Sequence, residues 1–203
     1  ISSPLDERGF PGKAVTTIDE GKREAHCVIV SPDNRNVYVP YVKGNLALFQ
    51  YAYDGNTGKL TPLDPKDANP PQGTGPRHLA YHPKLPMAYF TNEQGIGLST
   101  YRRQADGRLK IEQDLSILPL GMSKLGLSAS DLLITPDGRF LFAGLRGHRQ
   151  DFDRIARYRV LENGHAELLG LTAADKIPWG LTLSPDGRHL LVSATTGATL
   201  TAY

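Results

Sequence analysis

Five ionisable side chains, those of His26, Arg77, Glu93, Asp131 and Arg146, stand at fixed offsets from four prolines, Pro32, Pro83, Pro136 and Pro185. Six residues before the prolines are His26, Arg77, Ser130 and Trp179. Five before are Cys27, His78, Asp131 and Gly180, and ten after are Val42, Glu93, Arg146 and Thr195. Two arginines, an imidazole and two carboxylates suit a small anionic molecule. A guanidinium offers a planar fork to carboxylate or phosphate, and a carboxylate beside an imidazole can move a proton. Each residue also has a purely structural reading. Arg77 with Glu93 could close the open end of a hairpin, and Asp131 could cap backbone N–H groups. Arg146 could be a solvated rim residue and His26 a satisfied buried histidine. What favours chemistry is that all five occupy equivalent places in one repeat.

The elements that would position them follow from that repeat. The prolines are 51, 53 and 49 residues apart, and each sits between two apolar runs, as in VIVSPDNRNVYVPY (28–41), LLITPDGRFLFAGL (132–145) and LTLSPDGRHLLVSA (181–194). A period near fifty with strand signals inside it indicates propeller blades. The expected fold is therefore all-β, a β-propeller of four-stranded antiparallel blades with about four blades present. Residues 1–203 are read as one domain, with repeats near 26–64, 77–117, 130–171 and 177–203. Expected strands are 27–30, 37–40, 46–53 and 59–63, then 77–81, 87–91, 98–102 and 108–114. The third repeat gives apolar runs either side of Pro136 and strands at 155–160 and 166–169, and the fourth ends on 199–203. Residues 13–18 alternate well enough for a lone strand, the outer strand of a preceding blade. That strand could close a ring of four, although a part of a larger ring is the preferred reading. Residues 64–76, 116–130 and 147–154 read as loops. The innermost strands of a propeller line its channel, so the five side chains gather at one channel mouth.

Composition narrows the function classes. Net charge is +2 and the lysines and arginines are scattered, which gives no basic stripe for nucleic acid. No apolar run approaches a membrane span, and no signal peptide is visible. The single cysteine, Cys27, excludes an internal disulfide and leads to the expectation of a reducing, cytoplasmic setting. As a nucleophile Cys27 competes with its reading as a small buried strand residue. No Cys/His spacing suits zinc, and no glycine-rich loop precedes a helix to cradle phosphates, so neither metal nor cofactor is expected. His78 and His82 lie four apart, but on a strand and its turn they share no ligating face.

The segments AHCVIVSPDNRNVYVP, LALFQYAYDGNTGKLTP, GTGPRHLAYHP with AYFTNE, and SASDLLITPDGRFLFAGLRG resemble the lactonase seven-bladed β-propeller family. That family includes propeller-type 6-phosphogluconolactonases and carboxymuconate cyclases. The resemblance covers about residues 13–203. It implies a seven-bladed ring and a His, Arg, Glu and Arg at the channel mouth, matching His26, Arg77, Glu93 and Arg146. The fourth repeat departs from the pattern, with Trp179 where the family often has Arg. The expected function is hydrolysis of a sugar lactone, 6-phosphogluconolactone to 6-phosphogluconate. Glu93 would serve as base for water or orient it, and His26 as acid/base partner or carbonyl polariser. Arg77 and Arg146, with Asp131, would hold the substrate. A cyclase acting on a carboxymuconate-type acid and a non-enzymatic binding propeller, its charged mouth paired within itself, are the alternatives.

Overall fold

A computed structural model describes residues 1–22, 24–43 and 46–203, and its smallest unit is a hairpin whose turn is set by its own side chains. In the third repeat Thr135 Oγ1 donates to Asp137 Oδ1 at 2.5 Å and accepts the Phe140 N–H at 3.1 Å. Asp137 also accepts the Arg139 N–H, and Gly138 takes the positive φ that the turn requires. Ser31 with Asp33 and Ser184 with Asp186 repeat the device. In the second repeat His82 replaces it, its Nδ1 accepting the N–H groups of Lys84 and Leu85 at 3.0 and 2.9 Å. That fixes His82 in a turn-forming role.

These hairpins build four antiparallel meanders. The first sheet has the order β1 (Ile29–Val30), β2 (Asn36–Pro40), β3 (Leu48–Asp54) and β4 (Lys59–Asp67). The second is β5 (Pro76–Tyr81), β6 (Met87–Asn92), β7 (Gly97–Arg103) and β8 (Leu109–Ser116). The third is β9 (Leu127–Ile134), β10 (Phe140–Gly147), β11 (Arg154–Val160) and β12 (Ala166–Ala173). The fourth has three strands, β13 (Pro178–Leu183), β14 (Leu190–Ala194) and β15 (Thr199–Ala202). Among the described residues no helix is long and apolar enough to cross a membrane.

The core lies between the blades. Successive side chains of a strand point to opposite faces, and in β6 both faces are covered. Ala88 and Phe90 pack with Tyr38, Leu48 and Tyr101 on the side of the first blade. Met87 and Tyr89 pack with Ala129, Leu141 and Tyr158 on the side of the third. This double burial explains why the middle strands read as unbroken apolar runs. Ile155, Leu190 and Val192 form a smaller cluster where the third and fourth blades meet.

Three expectations are corrected. Residues 13–18 form no strand; they contribute one isolated bridge, Ser2 with Thr16, and Ile18 packs on the first blade. Thr16 Oγ1 accepts the Leu60 N–H, so the segment is tied to the first sheet by a side chain rather than by a ladder. No strand from that segment completes the fourth sheet, and four-blade closure is not realised. The loop expected from residue 64 begins later, because β4 runs on to Asp67 through Pro62 and Pro65, which an outermost strand tolerates since one side makes no ladder bonds. Residues 127–130, expected in a loop, open β9.

Candidate active site

The innermost strands of the second, third and fourth blades each carry an irregularity where the candidate residues sit. On β5 the pairing jumps from Pro76–Asn92 to Leu79–Phe90, leaving Arg77 and His78 opposite Thr91 alone. On β9 it jumps from Ala129–Leu145 to Leu132–Ala143, leaving Ser130 and Asp131 opposite Gly144. On β13 Trp179 is the extra residue between Pro178 and Gly180. Such bulges re-aim side chains that strict alternation would send to opposite faces. The backbone groups they free are met locally. Thr91 Oγ1 accepts the His78 N–H at 3.2 Å and donates to the Ser130 carbonyl at 3.1 Å. Gly144 has no side chain because a Cβ there would collide with Ser130 Oγ.

The structure brings four of the five expected residues into two linked groups. In the first, Arg77 Nε donates to Glu93 Oε2 at 2.7 Å, and Arg146 Nη2 stands 3.5 Å from the same oxygen. Arg146 Nη2 also donates to the Ala129 carbonyl at 2.8 Å. Arg77, Arg146 and Glu93 are 1%, 4% and 7% exposed, which removes the reading of Arg146 as a solvated rim residue. The Trp179 ring covers both cations, 4.6 Å from Arg146 Cζ and 5.5 Å from Arg77 Cζ. Burial, and secondly the neighbouring Arg77 charge, push the Arg146 guanidinium down to about 10, so it stays charged at neutral pH. The cluster is only partly paired within itself: Arg77 Nη1 and Arg146 Nε are buried and have no hydrogen-bond partner.

The second group joins three blades. Asp131 Oδ1 meets His78 Nδ1 at 2.5 Å and accepts the Leu132 N–H at 2.9 Å, while Oδ2 accepts the Leu181 N–H at 2.8 Å. Burial works against ionisation of Asp131, but the His78 and Leu181 hydrogen bonds prevail and hold it below the usual carboxylate range. Both oxygens expected to contact substrate are thus spent on the protein. His26 is the fifth residue. Its ring lies 5.0 Å from that of His78, tilted by 53°. Its Nδ1 is buried without a partner. Burial, then the charge of Arg77, lowers its pKa to about 4, which leaves the imidazole neutral at physiological pH. Cys27 is half-buried and burial raises its thiol, the opposite of an activated nucleophile.

His78 is the functional candidate that the spacing argument passed over, although it stands in the same column as Asp131. Trp179, noted only as a departure, is the lid on both arginines. Among the described residues no group of three or more His, Cys, Asp or Glu side chains is placed to hold a metal ion.

The family model described as lactonase, 7-bladed β-propeller matches residues 6–203. A 6-phosphogluconolactonase of Cronobacter sakazakii is 32% identical over 188 residues, covering 91% of this chain and 54% of the relative. A 6-phosphogluconolactonase of Sodalis glossinidius is 33% identical over 194 residues, covering 94% of this chain and 56% of the relative. The chain therefore spans about half the length of the curated relatives it matches. The solved structure of a Pseudomonas aeruginosa periplasmic gluconolactonase superposes with a TM-score of 0.86 at 25% identity, over 98% of this chain and 57% of that one.

Proposed function

The chain belongs to the lactonase seven-bladed β-propeller family, and on that premise we propose that it carries the catalytic residues of a lactone hydrolase that opens 6-phosphogluconolactone to 6-phosphogluconate. The observation that carries the reading is the pair of unspent, buried donors, Arg77 Nη1 and Arg146 Nε, on two guanidiniums held in place by Glu93. Unmet buried donors are costly unless something occupies them. An anionic group, or the oxyanion that forms when water adds to a lactone carbonyl, supplies the missing acceptors. Preorganised donors aimed at developing charge are often the largest single contribution to acyl-transfer catalysis.

In this reading Arg77 and Arg146 bind the anion and stabilise the oxyanion. Glu93 orients both arginines and the attacking water. His26, neutral, polarises the carbonyl by hydrogen bonding, and Asp131 acts on the substrate through His78. A phosphorylated substrate sets the protein in the cytoplasm, where sugar phosphates are retained.

A second reading, an unphosphorylated gluconolactone, is favoured by the likeness to the periplasmic gluconolactonase and by the half-exposed Trp179 face, a platform suited to a sugar ring. Hydrolysis of 6-phosphogluconolactone and gluconolactone, each measured above its spontaneous rate, separates the two. A saturable rate on the phosphorylated lactone that Arg77→Ala removes is the expected result. A rate no greater than background on both lactones would sink the hydrolase reading.

A further inference from the structure

We propose that His78, held by Asp131, is the group that takes the proton from the attacking water and returns it to the leaving ring oxygen; this rests on the lactone-hydrolase reading above. Its placement comes from the bulge. Arg77 and His78 are neighbours in sequence, yet both face Thr91, so the strand presents two adjacent side chains where alternation would present one. His78 stacks obliquely on His26 while Arg77 runs to Glu93.

The tautomer follows from the partner. Asp131 is held ionised by the His78 hydrogen bond and the Leu181 N–H, so its Oδ1 is an acceptor and His78 Nδ1 carries the hydrogen. The lone pair is then on Nε2, which has no hydrogen-bond partner among the described residues. The side chain is 29% exposed, so water reaches it. A carboxylate that fixes an imidazole's tautomer and steadies the imidazolium formed during reaction is the orienting device of acid–base histidines generally. Of the other candidates, Glu93 has its Oε2 taken by Arg77 and Arg146, and no carboxylate holds the ring of His26 in one tautomer as Asp131 holds that of His78.

The step balances as a simple hydrolysis. Water oxygen bonds to the lactone carbonyl carbon, and one water proton passes to His78 Nε2. The carbonyl π pair moves onto its oxygen, whose charge faces the unspent donors of Arg77 and Arg146. Collapse of that intermediate breaks the ring C–O bond. The ring oxygen leaves with the proton from His78 Nε2, giving a hydroxy acid that then loses its acidic proton to solvent. The charged and titratable groups around His78 and Asp131 are His26 and Cys27 from the first blade and Arg77 from the second.

The test is the pH dependence of kcat and KM for the wild-type protein, His78→Gln, His78→Ala and Asp131→Asn, with thermal melts to confirm folding. We expect His78→Gln to lower kcat about a hundredfold or more with little change in KM, as loss of an acid–base group does. The acid limb of the kcat/KM profile should disappear with it. Asp131→Asn should lower kcat in the same direction, and added imidazole should restore part of the rate of His78→Ala, which a merely structural histidine would not show. Wild-type kcat and an unchanged pH profile in folded His78→Gln would overturn the proposal while leaving the hydrolase reading intact. If His78→Gln fails to fold, failure of imidazole to rescue His78→Ala together with wild-type kcat in Asp131→Asn would overturn it. An inactive wild-type protein would overturn both.

Discussion

Arg77 Nε and Glu93 Oε2 meet at 2.7 Å across the open end of the β5–β6 hairpin, and both side chains are almost fully buried. Glu93 Oε2 also lies 3.5 Å from Arg146 Nη2, so one carboxylate serves two buried cations. Removing it leaves both guanidiniums uncompensated. Glu93→Ala should therefore destabilise the fold by about 3 kcal/mol, the usual result of stripping one partner from a buried pair. Urea denaturation of the wild-type and variant proteins measures this. A change under about 0.5 kcal/mol, the range of ordinary surface substitutions, would mean that solvent already neutralises the cluster.

Arg77 is expected to act through the shape of its guanidinium as well as its charge. Lysine keeps the charge but has no planar fork and no Nη1 to present. Arg77→Lys should thus lose about a hundredfold or more in kcat/KM, close to the loss in Arg77→Ala, by the scale of a missing oxyanion donor. Steady-state kinetics on the lactone substrate decide it. Near-normal activity in the lysine variant would show that charge alone suffices.

Acid should weaken the fold through His26. Its folded-state pKa, about 4, lies below the ordinary 6.5, so the unfolded chain binds more protons between those values. Stability is then fully present above pH 6.5 and falls as pH drops towards 4. Scaled down for a half-buried group, the loss attributable to His26 is on the order of 2 kcal/mol. His82 and His148 are shifted in the same direction by burial, so the comparison must be differential. His26→Gln should flatten the stability–pH curve in that window relative to wild type. Parallel curves would sink the assignment.

Trp179 is the single tryptophan of the chain and lies directly over both arginines. An anion bound to those arginines should change its fluorescence. Titration with 6-phosphogluconate should give a saturable signal that Arg146→Ala abolishes. A wild-type signal that survives in that variant would place the anion elsewhere.

Much of this was legible in sequence, and the reasons are local. The Thr135–Asp137 and Ser31–Asp33 pairs fix hairpin turns by side-chain hydrogen bonds, so the turns and flanking strands could be read from residue type. The Arg77, Glu93 and Arg146 grouping followed from repeat offsets, because equivalent positions of a propeller converge on its axis. His78 did not follow, since a period-two reading sends it away from Arg77 and only pairing register reveals the bulge. Residues 13–18 misled for a related reason: their alternation fits a strand, but a strand also needs a neighbour with free backbone groups, and sequence pattern carries no such information. In β4 the prolines suggested an early end, whereas an outer strand has no second ladder for them to break.

Asp131 touches His78 of the second blade and Leu181 of the fourth while belonging to the third. In the hydrolase reading proposed above, the angular pitch between neighbouring blades is thereby written into the reaction centre. A substitution that alters the tilt between neighbouring blades by a few degrees, far from any substrate atom, changes the distance that the Asp131 side chain must bridge. In that reading catalytic competence becomes a gauge of the pitch between blades, failing under torsion while every sheet is still intact.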